Sequence, residues 1–345
     1  MKSKKLSEKI IKTFKNNGFV LSEPDVLLDS EYIIQRSGEN FRRSMLSFEN
    51  EEGKVMCLRP DLTVASCIKF LEKKTNSKIY YSGQAYRRTD KKGANLINDQ
   101  LGIEILGSKN QLQDDFKVFK TILNSAKIVK SKKIQIKVGD VGLFKKLINS
   151  LDMPERWKLR LIRHFWRPKY FNELLERLEN NSDIESVTFD TDKKRFYEMK
   201  KMDQDKVIAG RSVEEILKRF DKKIKDPRAF TEGEQIVKII KSFLKINCKL
   251  SQLDEVLLKF AKKNDLKKNI FKDFKSIKNL KKLNQEIIFI TNFGRNIEYY
   301  TGIVFEVFSK KKEIARGGRY DDLLKSLGAK KNIPAVGAAI NLNNI

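Results

Sequence analysis

Strand patterns are confined to the two ends of this 345-residue chain, and helical patterns fill its middle. Alternating apolar and polar residues predict strands over 44–50 and 54–58. Further strand-like runs lie over 78–87, 100–107, 134–138, 287–291, 300–308 and 335–342. Between about 142 and 283 such runs nearly vanish. Strands grouped in this way are typical of an α+β fold with one antiparallel sheet flanked by helices, not of a doubly wound parallel sheet. We therefore expect a core domain of residues 1–141 and 284–345 and a helical insertion over residues 142–283.

Local patterns add detail to this outline. Apolar residues at helical spacing predict helices over 6–17 and 62–73, and Gly18 ends the first of them. A third helix is predicted from Leu112 to Leu123 by the same spacing. The pair Gly317-Gly318 predicts a glycine turn that leads into a helix.

The content of cysteine and histidine excludes several kinds of site. Three cysteines without C-x-x-C spacing exclude a disulfide scaffold and thiolate zinc sites. The single histidine, His164, excludes a histidine-rich metal centre and leaves little room for a histidine-based triad. The chain has no P-loop and no G-x-G-x-x-G motif. We expect no metal and no cofactor.

The balance of charge and hydropathy indicates a soluble protein. No apolar run is long enough for a membrane span, and residues 1–5 lead into an amphipathic stretch instead of a signal sequence. We expect a cytoplasmic location. The formal net charge is +27, but only 18 of the 72 basic residues are arginine. Lysines spread along the whole chain favour a general bias in residue usage over a nucleic-acid groove, and attraction to an acidic partner stays open.

Three polar residues stand at the ends of predicted elements. Asp61 and Thr63 lie where a strand gives way to a helix, and capping that helix is their ordinary role. Arg87 ends the strand over 78–87, where an arginine most often forms a surface salt bridge.

A further set of residues shares one face of a strand. Gln100, Gly102 and Glu104 point the same way because strand side chains alternate. Gly102 is expected to leave a hollow between an amide and a carboxylate, which would suit a ligand with an ammonium group. An ordinary polar sheet face has the same pattern. Glu306 stands among apolar residues, so its carboxylate must be paired or face a cavity.

Taken together and in this order, the segments resemble the catalytic core of class II histidyl-tRNA synthetases. The resemblance rests on Leu58-Arg59-Pro60-Asp61-Leu62-Thr63, the strand 81–87, Gln100-Leu101-Gly102-Ile103-Glu104, the stretch 295–306, Gly317-Gly318-Arg319-Tyr320-Asp321 and the strand 337–342. It extends over roughly residues 5–140 and 285–345. The middle of the chain matches only in position.

Departures from the synthetases indicate which branch of the family this is. Asn344 stands where the synthetases have an ATP-binding arginine, and Thr89 replaces a glutamate. The loop around Ala94 lacks a second arginine, and we expect no anticodon-binding domain. These features, and Asp61 in place of glutamate, look like the paralogous family that regulates ATP phosphoribosyltransferase. Val138-Gly139-Asp140-Val141-Gly142-Leu143-Phe144 matches that family too.

The resemblance implies a non-catalytic role. A homodimeric core would join a short-form ATP phosphoribosyltransferase catalytic subunit in a hetero-oligomer, activate it and transmit feedback by L-histidine in the first step of histidine biosynthesis. The histidine-binding residues that it implies are Asp61, Thr63, Arg87, Gln100, Glu104, Arg295, Tyr299 and Tyr300. Two alternatives stay open: a histidine-adenylating enzyme or truncated histidyl-tRNA synthetase, and an RNA-binding protein on the same scaffold.

Overall fold

The computed structural model describes residues 2–36, 44–73, 77–88, 95–129, 134–180, 188–203, 207–208, 211–225, 231–272, 275–283, 285–294 and 299–345. Its strands are β1 (Val20–Leu21), β2 (Leu27–Asp29), β3 (Leu46–Glu49), β4 (Val55–Leu58), β5 (Lys78–Tyr86), β6 (Ile97–Leu106), β7 (Ile134–Asp140), β8 (Val207–Ile208), β9 (Arg211–Ser212), β10 (Asn247–Lys249), β11 (Ile287–Ile290), β12 (Ile303–Ser309), β13 (Lys312–Arg319) and β14 (Ala335–Asn341).

The α-helices of the described part are α1 (Lys2–Asn16), α2 (Ser30–Arg36), α3 (Leu62–Lys73), α4 (Gln111–Val129), α5 (Val141–Ser150), α6 (Glu155–His164), α7 (Pro168–Glu179), α8 (Thr188–Met199), α9 (Val213–Lys225), α10 (Gly233–Leu244), α11 (Leu253–Lys263), α12 (Lys275–Leu280) and α13 (Leu323–Ser326). None of these helices is both long and apolar enough to cross a membrane. Gly18 follows α1 with a φ of +79° and ends it as predicted.

A sheet of nine described strands forms the centre of the molecule, in the order β1-β5-β6-β14-β13-β12-β7-β11-β10. The run from β5 to β7 is antiparallel throughout. Two parallel pairs, β1 with β5 and β11 with β7, lie toward its margins. The predicted α+β class with a largely antiparallel sheet is therefore confirmed. A separate small sheet, in the order β2-β4-β3, contains the predicted hairpin β3-β4.

One local prediction is wrong. Gly317 and Gly318 do not form a turn, because both lie inside β13 and pair with residues of β12 and β14. A side chain at Gly317 would clash with Ala338, and one at Gly318 would clash with the ring of Tyr300. These glycines serve close packing across the sheet. The helix α13 starts only at Leu323, after a turn.

Different hydrophobic clusters pack against the two faces of the large sheet. On one face, Ile10 of α1 and Phe119 of α4 belong to a large buried cluster that also takes in Phe144 of α5 and Phe243 of α10. On the other face, a second cluster contains α3, α13 and the small sheet. Because the first cluster joins helices from 142–283 to the sheet, the insertion shares the core of the protein. The boundaries at 142 and 283 stay a prediction.

A buried ion pair ties these layers together. Arg319, at the end of β13, has a side chain that is 1% exposed, and its Nη2 lies 2.6 Å from Oδ1 of Asp115 in α4. The other terminal nitrogen, Nη1, donates to Asp321 at 2.8 Å. The second oxygen of Asp115 accepts a hydrogen bond from Ser276 of α12 at 2.7 Å. One guanidinium thus links the sheet, the long helix on its face and a helix from the end of the insertion.

Removing one member of this pair should destabilise the whole protein. Arg319→Met leaves the Asp115 carboxylate buried without its cation, which costs about 3–5 kcal/mol of unfolding free energy. Urea unfolding measures the loss. Lys241→Met is the control, because the Lys241 ammonium pairs with Glu179 at the surface and exposed pairs contribute little. A similar, small loss in both variants would contradict a structural role for Arg319.

Candidate functional site

A cavity of about 430 Å³ opens beside the start of α3 and over the strands β6, β13 and β14. Its described lining consists of Asp61, Thr63, Arg87, Arg88, Asn95, Asn98, Gln100, Tyr299, Tyr300, Glu313, Ala315, Arg316, Tyr320, Gly337, Ala338, Ala339 and Asn341. Six of the eight predicted site residues are in this lining. Glu104 lies just below it, and Arg295 lies outside the described residues.

Asp61 caps its helix, as its position predicts, and also forms the salt bridge that was expected for Arg87. Its Oδ1 accepts hydrogen bonds from the backbone amides of Thr63 at 2.7 Å and Val64 at 3.2 Å, which caps α3. Its Oδ2 lies 2.8 Å from Nη2 of Arg87. Arg87 also donates from Nε to the carbonyl of Pro60 at 2.6 Å. The carboxylate is therefore held rigidly at the cavity wall, with one of its oxygens on the arginine.

Glu104 is fully buried, and three hydroxyl groups satisfy its carboxylate. Thr63 donates to Oε1 at 2.7 Å and Tyr81 donates to the same oxygen at 3.1 Å. Tyr320 donates to Oε2. Gly337 of β14 lies directly over this group, since any side chain there would overlap the carboxylate. Glu104 therefore does not line the cavity itself, but its neighbours Thr63, Tyr320 and Gly337 do.

The expected hollow at Gly102 is absent, because the ring of Tyr81 fills it. A side chain at Gly102 would clash with the phenol of Tyr81, and this tyrosine is fully buried. The glycine thus lets a neighbouring strand place a hydroxyl against Glu104 instead of making room for a ligand. The space for a ligand lies farther out, above Gln100 and Gly337.

Burial dominates the electrostatics of this layer. It raises the pKa of Glu104 to about 7, although hydrogen bonds from Tyr320, Thr63 and Tyr81 act in the opposite direction. Burial also raises the pKa of Tyr81 and of Tyr320 well above the ordinary value. The tyrosines therefore keep their protons and act as donors to the carboxyl group.

Gln100 and the tyrosine pair form the outer part of the site. The side chain of Gln100 is half-buried, lines the cavity and makes no hydrogen bond within the described ranges. Tyr299 and Tyr300 pack edge to face at 5.1 Å between ring centroids, and Tyr299 packs on Tyr320 at 5.7 Å. An amide with free donors and acceptors thus faces a wall of aromatic rings.

Arg316 and Tyr320 line the cavity but were not among the predicted site residues. Arg316 lies 2.8 Å from Glu306 and 2.6 Å from Glu313, so the expected pairing of Glu306 is present. Tyr320 reaches Glu104 from 216 positions away in the chain. The motif Gly317-Gly318-Arg319-Tyr320-Asp321 contained the signal for Tyr320. For Arg316 the sequence contained no such signal, because its pairing with Glu306 depends on the register of β12 and β13.

The positions that depart from the synthetases fall in different places. Asn344 is outside the cavity lining, and its amide donates to the carbonyl of Glu313 at 2.7 Å. Asn95 lines the cavity. Thr89 and Ala94 lie outside the described residues.

A family model for "Histidyl-tRNA synthetase" matches residues 1–345. The chain belongs to this family. The family predicted from the motifs is thereby confirmed, and the cavity of this histidyl-tRNA synthetase family member lies on the strands that carry those motifs.

Curated relatives in this family carry a more specific name. A protein of Brucella anthropi is 28% identical over 348 residues, with 94% of this chain and 92% of that protein covered. One of Agrobacterium fabrum is 29% identical over 344 residues, with 93% and 90% covered. Both are named ATP phosphoribosyltransferase regulatory subunit.

Solved structures agree on the fold. A Bacillus halodurans protein, titled an ATP phosphoribosyltransferase regulatory subunit/histidyl-tRNA synthetase, matches with a TM-score of 0.64 and 16% identity, over 99% of this chain and 77% of that one. Histidyl-tRNA synthetase from Nostoc sp. PCC 7120 matches with a TM-score of 0.61 and 17% identity, over 99% and 70%. The predicted class II synthetase-like fold is confirmed.

The raised pKa of Glu104 predicts a pH dependence of stability. The folded state holds the proton more tightly than the unfolded chain, whose carboxyl has its ordinary pKa of 4.5. The contribution of the protonated group is fully present below about pH 4.5 and is lost as the pH rises through 7. We expect the unfolding free energy of the wild type, minus that of Glu104→Gln, to fall between pH 5 and pH 8.

Denaturant unfolding of both proteins at the two pH values measures this difference. Asp140, whose pKa burial raises to about 6, titrates in the same range but is present in both proteins, so its contribution cancels. A difference that stays constant or rises with pH would contradict a protonated Glu104 in the folded protein.

Proposed function

We propose that this chain is the regulatory subunit of an ATP phosphoribosyltransferase and has no catalytic activity of its own. It would act in the first step of L-histidine biosynthesis, bound to a separate short-form catalytic subunit. The observation that carries the proposal is the full-length similarity to curated relatives with this name. The resemblance of the sequence motifs to the same paralogous family agrees with it.

The charge balance of the cavity supports the absence of adenylation. Activating an amino acid with ATP requires cations that stabilise the transferring phosphate. Arg87 is paired with Asp61, and Arg316 is paired with two glutamates. Arg88 is the one lining arginine for which the described part of the chain offers no ion pair. Two of the three guanidinium groups thus have their charge offset by carboxylates of the protein.

The same cavity suits recognition of an amino acid. Histidine has an ammonium group, a carboxylate and an imidazole. Asp61 and Gln100 offer oxygen acceptors for the ammonium, and Tyr299 and Tyr300 supply an aromatic wall. The carboxylate would take its donors from Arg295. Thr63 and Glu104 would orient this set from below. In this proposal, L-histidine is the effector and the predicted residues, with Arg295, form its site.

An apolar outward surface supports the homodimeric core. On the small sheet, Leu27, Leu46, Phe48, Met56 and Leu58 share one face by strand register. Leu27 is 49% exposed and Phe48 is 44% exposed. A patch of this kind on a soluble domain is typical of a protein interface. We propose that a second copy covers it and that the catalytic subunit binds elsewhere.

A histidine-adenylating enzyme is the main alternative, and activity assays separate the two. We expect no histidine-dependent exchange of pyrophosphate into ATP, because the cavity arginines are largely paired. Mixing with a cognate short-form catalytic subunit should raise phosphoribosyltransferase activity and give a larger species in gel filtration. Clear exchange activity would support the alternative, and failure to co-elute or to activate would contradict the regulatory role.

The histidine site has its own test. Gln100→Ala removes an amide that makes no hydrogen bond with the described residues, so the fold should be unaffected. Losing a hydrogen bond to the charged ammonium should weaken histidine binding about tenfold. Calorimetry on the isolated chain measures the affinity.

Gln113→Ala is the matched control, since Gln113 is exposed on α4. Equal affinity in both variants would contradict this site. That result would leave the regulatory role intact if the complex still forms and activates.

A further inference from the structure

A second cavity, of about 330 Å³, lies against the same tyrosine pair. Tyr299 and Tyr300 line both cavities. Most of its other lining residues belong to α5, α6 and α13 or lie directly beside them in the chain, and these helices contribute nothing to the first cavity. It is therefore a separate space, built between the helices at the start of the insertion and the core.

Aromatic side chains form part of the lining of the second cavity: Phe144, Phe165, Trp166, Tyr299 and Tyr300. Phe144 and Phe165 are 1% and 3% exposed and stack on each other at 3.9 Å between ring centroids. Trp166 stands at the wall and is partly exposed. Flat aromatic surfaces of this kind favour a ligand with a flat ring, because stacking adds to the burial of apolar area.

Two cations stand at this aromatic space. Lys145 of α5 and Arg163 of α6 line it, and both are exposed. Across the described ranges, neither has an ion-pair partner or a hydrogen bond from its charged group. The lining carboxylate is Asp322, which accepts a hydrogen bond from Asn332 at 2.7 Å. The balance of charge in the lining therefore favours an anion.

Further arginines on α6, the helix that contains Arg163, add positive charge near the cavity and so favour an anion further. Arg156, Arg160 and Arg163 recur every three or four residues along α6, and Arg167 follows it. Burial lowers the pKa of His164, and the charges of Arg163, Arg167 and Arg160 lower it further. The guanidinium groups of Arg156 and Arg160 lie over the ring of Trp157, at 5.2 and 5.4 Å. Arg163, by contrast, extends to the cavity.

We propose that this second cavity binds a small anion that carries one flat aromatic ring. The ring would lie against Phe144, Phe165 and Trp166, and the anionic group would meet Lys145 and Arg163. A guanidinium fork suits a carboxylate and a phosphate equally, so the anionic group is of either kind. This site is independent of the proposed regulatory role, because it is tested on the chain alone.

Two probes distinguish the sources of the anion: phenyl phosphate and phenylacetate. Benzyl alcohol supplies the ring without the charge, and inorganic phosphate the charge without the ring. The chain has two tryptophans, and Trp157 is 2% exposed. Binding should therefore change the fluorescence of Trp166, and Trp166→Phe should abolish the change. We expect at least one charged aromatic probe to bind more tightly than either fragment.

Substitutions test whether the probe binds in the second cavity. Arg163→Ala and Lys145→Ala should each weaken binding about fivefold, the value expected for one exposed charge contact. Lys169→Ala removes an exposed charge nearby on α7 and should have no effect. Gln100→Ala, which changes only the first cavity, should have none either. Circular dichroism checks that each variant is folded.

Three results would overturn the proposal. The first is no saturable binding of either charged aromatic probe up to about 10 mM, since weaker binding than this amounts to less than 3 kcal/mol. The second is equal weakening by Lys169→Ala, which would mean general attraction to a basic protein. The third is weakening by Gln100→Ala without weakening by Arg163→Ala, which would place the probe in the first cavity.

Discussion

A carboxyl group with no access to water determines how this protein builds its site. Burying Glu104 would be costly without partners, and three hydroxyl groups from separate elements supply them: Thr63 from α3, Tyr81 from β5 and Tyr320 from the turn after β13. Gly337 lets β14 pass directly above. The start of a helix and four strands are thereby held in one arrangement. The cavity floor is rigid because every polar group in it already has a partner.

Above this floor, most of the arginines that line the cavity form ion pairs with carboxylates of the protein. Arg87 is bound to Asp61 and Arg316 lies between Glu306 and Glu313. A zwitterionic amino acid needs only one donor and one acceptor group, so such a cavity can still select it. A triphosphate carries several negative charges and gains little from arginines whose charge is offset. The geometry is thus compatible with recognition of a ligand and unfavourable to its activation.

Sequence periodicity predicted most elements correctly, including α3 over 62–73 and the hairpin β3-β4, because these patterns are local. Two predictions that rested on glycines were wrong: the hollow at Gly102 and the turn at Gly317. A glycine that admits a neighbouring ring or strand has the same local signature as one that forms a turn or a hollow. Tyr320 and Arg316 were missed for a related reason. Their roles depend on partners that only the folded sheet brings close.

The same limit explains why the second cavity has no sequence signature. Its walls come from α5 and α6 on one side and from the tyrosine pair and α13 on the other, and these two groups belong to distant parts of the chain. Since Tyr299 and Tyr300 line both cavities, a ligand that fixes their rings in one changes the wall of the other. Any such coupling is reciprocal, so each ligand alters the affinity for the other by the same factor. Two tyrosine rings that pack edge to face between the cavities would be a physically sufficient link between an effector in the first and a ligand in the second.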